Sequence, residues 1–355
     1  MDQHGSFIAR LLDTGLRGFA AETAVRQRQC LQEQGFDLPP GALDSLIADT
    51  EARVLVLGES LATARPALFL EHLEWGRSSY LARGVSEQGL ALNLLCLRDV
   101  LLRNLPPDAH SAVQSLLDAA GKSFELPPRP IGDCLETDSP QGRRVQEALL
   151  AILEARREDA LRLLLAPLDE GVSVLEVETG ILGPLQTAVG ALWQRGELHV
   201  HEEHYATRVV EEALVLLRNR MARGPGLGKS VLLCSVAGNL HDVGACIVAD
   251  HFEAGGWRPL RLGANVPGED LGRAVFDFHA DLLAVSVTLS SQVRRTAALL
   301  SDVRAFCDGE APPILVGGPP FNLVPDLWRV VGADGFAESA PGAVREGRRL
   351  LGLSA

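Results

Sequence analysis

Gly238-Asn239-Leu240-His241-Asp242-Val243-Gly244 sets one histidine between two glycines, directly after the apolar run Val231 to Val236 and ahead of a second apolar stretch, Ala245 to Phe252. A ring nitrogen held on a strand-to-helix loop of this kind can ligate a metal that arrives from outside the protein. Two other loops carry different chemistry. Ser286-Val287-Thr288-Leu289-Ser290-Ser291 supplies hydroxyls, and Gly317-Gly318-Pro319-Pro320 begins with backbone that carries no side chains. Placed beside the histidine they would line a narrow slot, suited to a long, thin polar group.

The chain around these loops says how they are positioned. Val231 to Val236, Pro259 to Leu262, Leu282 to Val287 and Ile314 to Val316 read as strands, and segments near 242–254, 268–279, 291–307 and 341–352 as helices. Repeated β-α order implies a parallel, doubly wound, flavodoxin-like (Rossmann-like) sheet over residues 230–355. Ligands of such sheets sit beyond the carboxyl ends of the strands, at the switch in strand order. Residues 143–222 carry helical periodicity at Val145 to Ala166, Val172 to Ala188 and about His201 to Met221, and read as a four-helix bundle. Residues 1–125 read as an all-α domain, with helices at Phe7 to Gln34, Ala42 to Leu57, Ala62 to Arg83, Ser86 to Leu105 and Asp108 to Ser123. The stretch Leu126-Pro127-Pro128-Arg129-Pro130 opens a linker over 126–142. The fold class is therefore α plus α/β.

The bundle holds a second constellation: Trp193 and, after nine intervening residues, Glu203-His204. His201, His204 and Tyr205 fall at i, i+3 and i+4 and share one helical face. Plainer readings stand beside these. His241 is then an ordinary loop histidine, Trp193 a core residue of the bundle, and Glu203-His204 a solvated helix start whose acid complements the macrodipole. His199, His201 and His204 together also suit a zinc or nickel site.

Residues 230–353 resemble the cobalamin-binding domain, whose pattern is an acidic residue, any residue, His, two residues and Gly, then a Ser-rich stretch and a Gly-Gly pair. The resemblance implies that His241 replaces the nucleotide base as lower cobalt ligand. It implies further that Ser286, Thr288, Gly317 and Gly318 hold the displaced tail and that Gly244 permits close approach of the helix. One position departs from the pattern: Asn239 stands where the family has Asp or Glu, so a neutral amide would orient the imidazole, with Asp242 as a nearby source of charge. A carboxylate in that position raises the basicity of a metal-bound histidine, so Asn239 should make His241 a weaker donor. The Trp, nine residues, Glu-His pattern resembles that of CarH-type cobalamin photoreceptors. There it implies that Trp193 packs over the upper ligand, that Glu203 contacts the adenosyl group of adenosylcobalamin, and that His204 reaches cobalt once light has cleaved the carbon–cobalt bond.

Composition sets the outer limits. With 33 Lys and Arg against 46 Asp and Glu the chain carries a net charge of −13. No basic stripe or helix-turn-helix precedes the bundle, so direct DNA binding is not expected. Cys30, Cys96, Cys134, Cys234, Cys246 and Cys307 show no paired spacing and read as reduced thiols of a cytoplasmic protein. No apolar run has the length of a membrane span, and Met1-Asp2-Gln3-His4 does not open a signal peptide. In the N-terminal domain His72, Trp75 and Tyr80 could face a tetrapyrrole, with Cys96 in an apolar helix. The size of the domain is similar to what the photocobilin family, which adds a bilin such as biliverdin to cobalamin, implies. The expectation is a cobalamin-dependent photoreceptor acting through a homo-oligomer or a signalling partner. A corrinoid methyl carrier and a light-independent cobalamin sensor are the alternatives.

Overall fold

The central strand β1 (Ser230–Val236) is buried along its whole length, the pattern of a strand covered on both faces. In this computed structural model, which describes residues 1–84, 86–129, 131 and 138–354, it pairs in parallel with β2 (Arg258–Val266) on one side and β3 (Leu282–Ser286) on the other. β4 (Ile314–Gly317) and β5 (Gly335–Ala337) complete a five-stranded sheet in the order β2-β1-β3-β4-β5. The order reverses between β1 and β3, so the loops leaving those two strands diverge and open a crevice. The connecting helices run over Val243–Ala254, Gly268–Asp277, Val293–Phe306, Pro319–Leu323, Leu327–Val331 and Ala340–Leu350, which are α11 to α16.

Ahead of the sheet lie α6 (Pro140–Leu153), α7 (Arg157–Asp169), α8 (Val174–Val177), a π turn at Glu178–Leu182, α9 (Gly183–Arg195) and α10 (Val200–Arg218). The stretch α8 to α9 is continuous, so the bundle has four helices. Its core, built on Leu149, Ile152, Leu164, Leu185, Val210 and Leu214, extends to Ile247 of α11 and Ala340 of α16, so bundle and sheet domain share apolar contacts. The N-terminal helices are α1 (Gln3–Glu33), α2 (Ala42–Thr63), α3 (Pro66–Ala82), α4 (Gln88–Asn104) and α5 (Pro107–Ser123). They close around Leu57, Phe69, Leu97 and Leu101. The chain divides into two compact units, one of residues 1–130 with 289–294 and 323–331, the other of the remainder.

The expected fold class stands, with several boundaries moved. Val145 to Ala166 is two helices, because Ala155 takes a left-handed φ of 57° and ends the first. The break between α2 and α3 falls at Ala64, also left-handed, with Pro66 opening the next helix, and not before Ala62. The strand expected at Pro259 to Leu262 runs on to Val266. β5 was not foreseen, since Gly-Phe-Ala has neither length nor β-branching to announce it. The Pro-rich stretch is not free at its start: Arg77 donates to the Leu126 carbonyl (2.7 Å) and Ser78 to the Arg129 carbonyl (2.7 Å). Pro130 and residues 132–137 of the expected linker, Cys134 among them, lie outside the described residues. The other five cysteines are free thiols. Among the described residues no helix is long and apolar enough to cross a membrane.

Under α11 and α16 the sheet core closes on Phe252, fully buried and edge-on to Trp257 at 5.1 Å between ring centroids. Phe252→Ala should cost about 3–5 kcal/mol, the range for emptying a buried aromatic site. Urea unfolding followed by tryptophan fluorescence measures it.

Candidate cofactor-binding site

Asn239 is the centre of the crevice and is itself fully buried. Its amide nitrogen donates to the Ser286 carbonyl (3.5 Å) and the Thr288 hydroxyl (3.2 Å). Its amide oxygen accepts from the backbone N–H of His241 (3.1 Å) and faces His241 Nδ1 at 3.1 Å. Two of these partners have fixed polarity: a carbonyl only accepts and a backbone N–H only donates. They settle which end of the amide is oxygen, and that end requires a proton on Nδ1. Nε2 of His241 then carries the lone pair, on a side chain that is exposed. This is the tautomer a metal needs.

The loop that carries the histidine is fastened from several directions. Ser235 donates to the His241 carbonyl (3.3 Å), and Gly238, at φ 83°, donates to the Asn265 side chain (2.7 Å). Arg295 of α13 donates to the Ala237 carbonyl (2.9 Å). Asn265 and Arg295 escaped the sequence reading. For Asn265 there was a weak signal, a small polar residue at a strand end, and it takes the left-handed φ of 58° that Asn tolerates.

The remaining residues of the expected set divide. Ser286 contributes its carbonyl, and Thr288 its hydroxyl, to Asn239. Gly318 has φ 115°, and a Cβ there would stand 2.0 Å from the Val287 carbonyl oxygen, so only glycine lets the β4 loop lie against the β3 loop. Gly317 accepts from Val287 N–H (3.0 Å) in the same contact. Gly244 leaves open space in the first turn of α11, where a Cβ would meet no protein atom within 4 Å. Asp242 makes no hydrogen bond to the imidazole. It stands before α11 with its carboxylate toward Gly263 of β2 and Cys246, and so does not replace the charge that Asn239 lacks.

On the bundle, Trp193 is half-buried against the helical core near the end of α9. Glu203 lies in the first turn of α10 and is held through Thr207, which donates to it (2.9 Å) and accepts from Gln186 (3.0 Å). The other carboxylate oxygen meets Nδ1 of His204, whose side chain is 72% exposed and whose Nε2 points to no described partner. The three-histidine metal reading fails. His199 caps the helix, its backbone N–H bonded to Glu202 (2.7 Å), and its ring stacks on His201 at 5.7 Å and 10° instead of converging nitrogens on a point. Among the described residues no three His, Cys, Asp or Glu side chains form a metal cluster.

In the N-terminal unit, burial and the nearby Arg53 charge push His72 down to about 4, so it is neutral at neutral pH. Tyr80 gives its hydroxyl proton to Asp49 (2.8 Å) and accepts from Arg53 (3.3 Å), while Trp75 is 44% exposed. Burial, with Cys30 beside it, raises the Cys96 thiol to about 11. His72 and Tyr80 therefore share the surroundings of Arg53 and Asp49.

Comparison with known proteins fits this geometry. Residues 229–345 match the family described as "B12 binding domain", and residues 145–218 match a second family with the same description. The chain is a cobalamin-binding protein. Over 215 residues it is 26% identical to a corrinoid protein of Desulfitobacterium hafniense (strain Y51), 59% of this chain against 97% of that one. It is 28% identical over 179 residues to the HTH-type transcriptional repressor CarH of Myxococcus xanthus, 50% of this chain against 59% of the repressor. The solved monomethylamine corrinoid protein of Methanosarcina barkeri superposes with a TM-score of 0.52 at 18% identity, covering 59% of this chain and 98% of that one, a likeness of fold.

A buried amide that fixes the histidine tautomer, an outward Nε2 and glycines that leave room beside it suit a corrinoid. Asn239→Leu should lower the affinity of the cobalamin-binding protein for hydroxocobalamin roughly 10- to 100-fold, the usual cost of losing the group that orients a metal-bound histidine. Asn239→Asp should bind at least as tightly as the wild type. Titration followed by absorption spectroscopy measures both.

Proposed function

We propose that the chain is a cobalamin-dependent light sensor. The observation that carries the reading is the Glu203–His204 pair on the exposed first turn of α10, with Trp193 on the preceding helix, in the same compact unit as His241. The likeness to CarH supports it. So does extent, since 59% of this chain already accounts for 97% of a corrinoid protein, and the chain therefore carries further segments for input or output.

In this reading His241 would hold cobalt through Nε2, and Ser286, Thr288, Gly317 and Gly318 would border the nucleotide tail. Trp193 shields the upper face with its ring and keeps water from it. Glu203, fixed by Thr207, contacts the adenosyl group. Bound adenosylcobalamin supplies a cobalt–carbon bond that light breaks. His204 would be the side chain to take that place beside the metal, and a difference in ligation between dark and lit forms would shift the population of bundle conformations. A partner protein or self-association reads that shift, and biliverdin in the N-terminal unit would add a second colour.

A second reading, a corrinoid methyl carrier, is favoured by the names of the relatives and by the exposure of His204, which leaves the upper side reachable by another protein. The two separate in one experiment. Protein reconstituted in the dark with adenosylcobalamin, with and without biliverdin, should change its absorption spectrum stably under green light. His204→Ala should bind in the dark within about twofold of wild type yet lose the stable lit spectrum. A spectrum indifferent to light, together with methyl transfer to a thiol from the methylated protein, would replace the sensor by the carrier. A far-red band only with biliverdin assigns the bilin, and its absence removes the bilin alone.

A further inference from the structure

Two short segments, residues 289–294 and 323–331, pack with the N-terminal helices as one compact unit. Arg294, the second residue of α13, anchors the first of them. Its guanidinium donates two parallel hydrogen bonds to the Asp13 carboxylate of α1 (2.7 and 2.9 Å), and its Nε lies 3.2 Å from the Glu59 carboxylate of α2. The other oxygen of Glu59 accepts the backbone N–H of Arg294 (2.8 Å). An N–H in the first turn of a helix has no partner within that helix, so a carboxylate from α2 caps α13. The seat fits this side chain closely. Glu59 is buried, and a Cβ on Gly58 would already touch the guanidinium at 3.4 Å, so the arginine lies against the backbone of α2.

The second segment is held by a pair nearer the surface. Arg65, which precedes α3, donates to both carboxylate oxygens of Asp326 (3.2 and 2.5 Å), the residue before α15. The place of the two segments in the chain gives these anchors a consequence. Leu289 follows Thr288, whose hydroxyl Asn239 holds, and Leu323 comes five residues after Gly318. The stretch from Leu289 to Arg294 is closed on itself. Gln292 donates its backbone N–H to the Leu289 carbonyl (3.0 Å), and its buried side chain accepts the Leu289 N–H (3.0 Å). Each of the two loops assigned above to the nucleotide tail is thus followed by an anchor on the N-terminal helices.

We propose that the N-terminal helical domain makes the chain selective for corrinoids that carry a nucleotide tail, by anchoring the chain behind both tail-bordering loops through Asp13, Glu59 and Arg294 and through Arg65 and Asp326. This rests on the assignment of Ser286, Thr288, Gly317 and Gly318 to the tail, and not on light sensing. A loop ordered before binding loses less conformational freedom when it takes its ligand. Only a corrinoid whose tail enters the slot gains from that order. Linkage makes the effect reciprocal, so a bound tail stabilises α1 and α2 against local opening. Asp13, Glu59 and Arg294 are positioning residues, acting on the tail through the β3 loop.

The test uses the full chain, wild type against Arg294→Ala and Asp13→Ala, titrated with hydroxocobalamin and with hydroxocobinamide, which lacks the tail. Arg294→Ala should lose roughly fivefold or more in affinity for hydroxocobalamin, the lower range of coupling between sites, and stay near wild type for hydroxocobinamide. Asp13→Ala should shift the same way. Asp13 is 42% exposed, so its loss empties no buried site, and this variant decides the matter if Arg294→Ala does not fold. Amide exchange of the wild type should slow around Asp13 and Glu59 on adding hydroxocobalamin and not on adding hydroxocobinamide. Equal losses for both corrinoids, or no loss for either, would overturn the proposal and leave the anchors a matter of stability alone. A wild type that binds both corrinoids equally would sink the tail assignment, and the proposal with it. One that prefers hydroxocobalamin, with variants that keep the preference, would sink the proposal and leave the tail assignment standing.

Discussion

A single buried amide holds the site together. Asn239 reaches the β3 loop with its nitrogen and the histidine of the β1 loop with its oxygen, at the switch point where those two strands part. This bridge joins the two loops and sets which nitrogen the imidazole presents. A carboxylate at 239 would orient the ring equally well, but it has no donor for the Ser286 carbonyl. The amide gives up charge beside the imidazole and gains a second loop.

The second constraint is the seam between bundle and sheet domain. Ile247, Ala340 and the flanking Val243, Cys246 and Val248 join the apolar core of the bundle, and the ion cluster of Arg218, Asp250 and Arg261 is set into the same seam. Apolar contact alone would permit sliding. Paired charges with directional hydrogen bonds fix one register, at a desolvation cost that is met only while each member keeps its partner. α10 and α11 are therefore held as one assembly, joined at the end of α10 away from His204.

Much of this was legible in the sequence for reasons that can be named. Strands such as Val231 to Val236 announce themselves because burial on both faces forces a continuous apolar run, and the loops stand out because Gly238, Gly318 and the Ser-Thr stretch belong in no regular element. Trp193, Glu203 and His204 were singled out through the spacing they share with the CarH-type pattern. What was missed depends on contacts distant in sequence. Arg295 is one arginine among many until its guanidinium is seen on the Ala237 carbonyl, and Glu178 looks like a surface acid of an amphipathic helix until the π turn rotates it inward.

The central claim is that His241 presents Nε2 to cobalt, and electron paramagnetic resonance of the cobalt(II) form tests it without reference to light or to partners. Protein labelled with nitrogen-15 only at histidine, loaded with unlabelled cobalamin and reduced to cobalt(II), should show the axial nitrogen splitting change from a triplet to a doublet, and His241→Ala should abolish that change. A triplet that persists in the labelled wild type would mean that the cofactor's own base still holds the lower position, and the role assigned to His241 and Asn239 would be wrong.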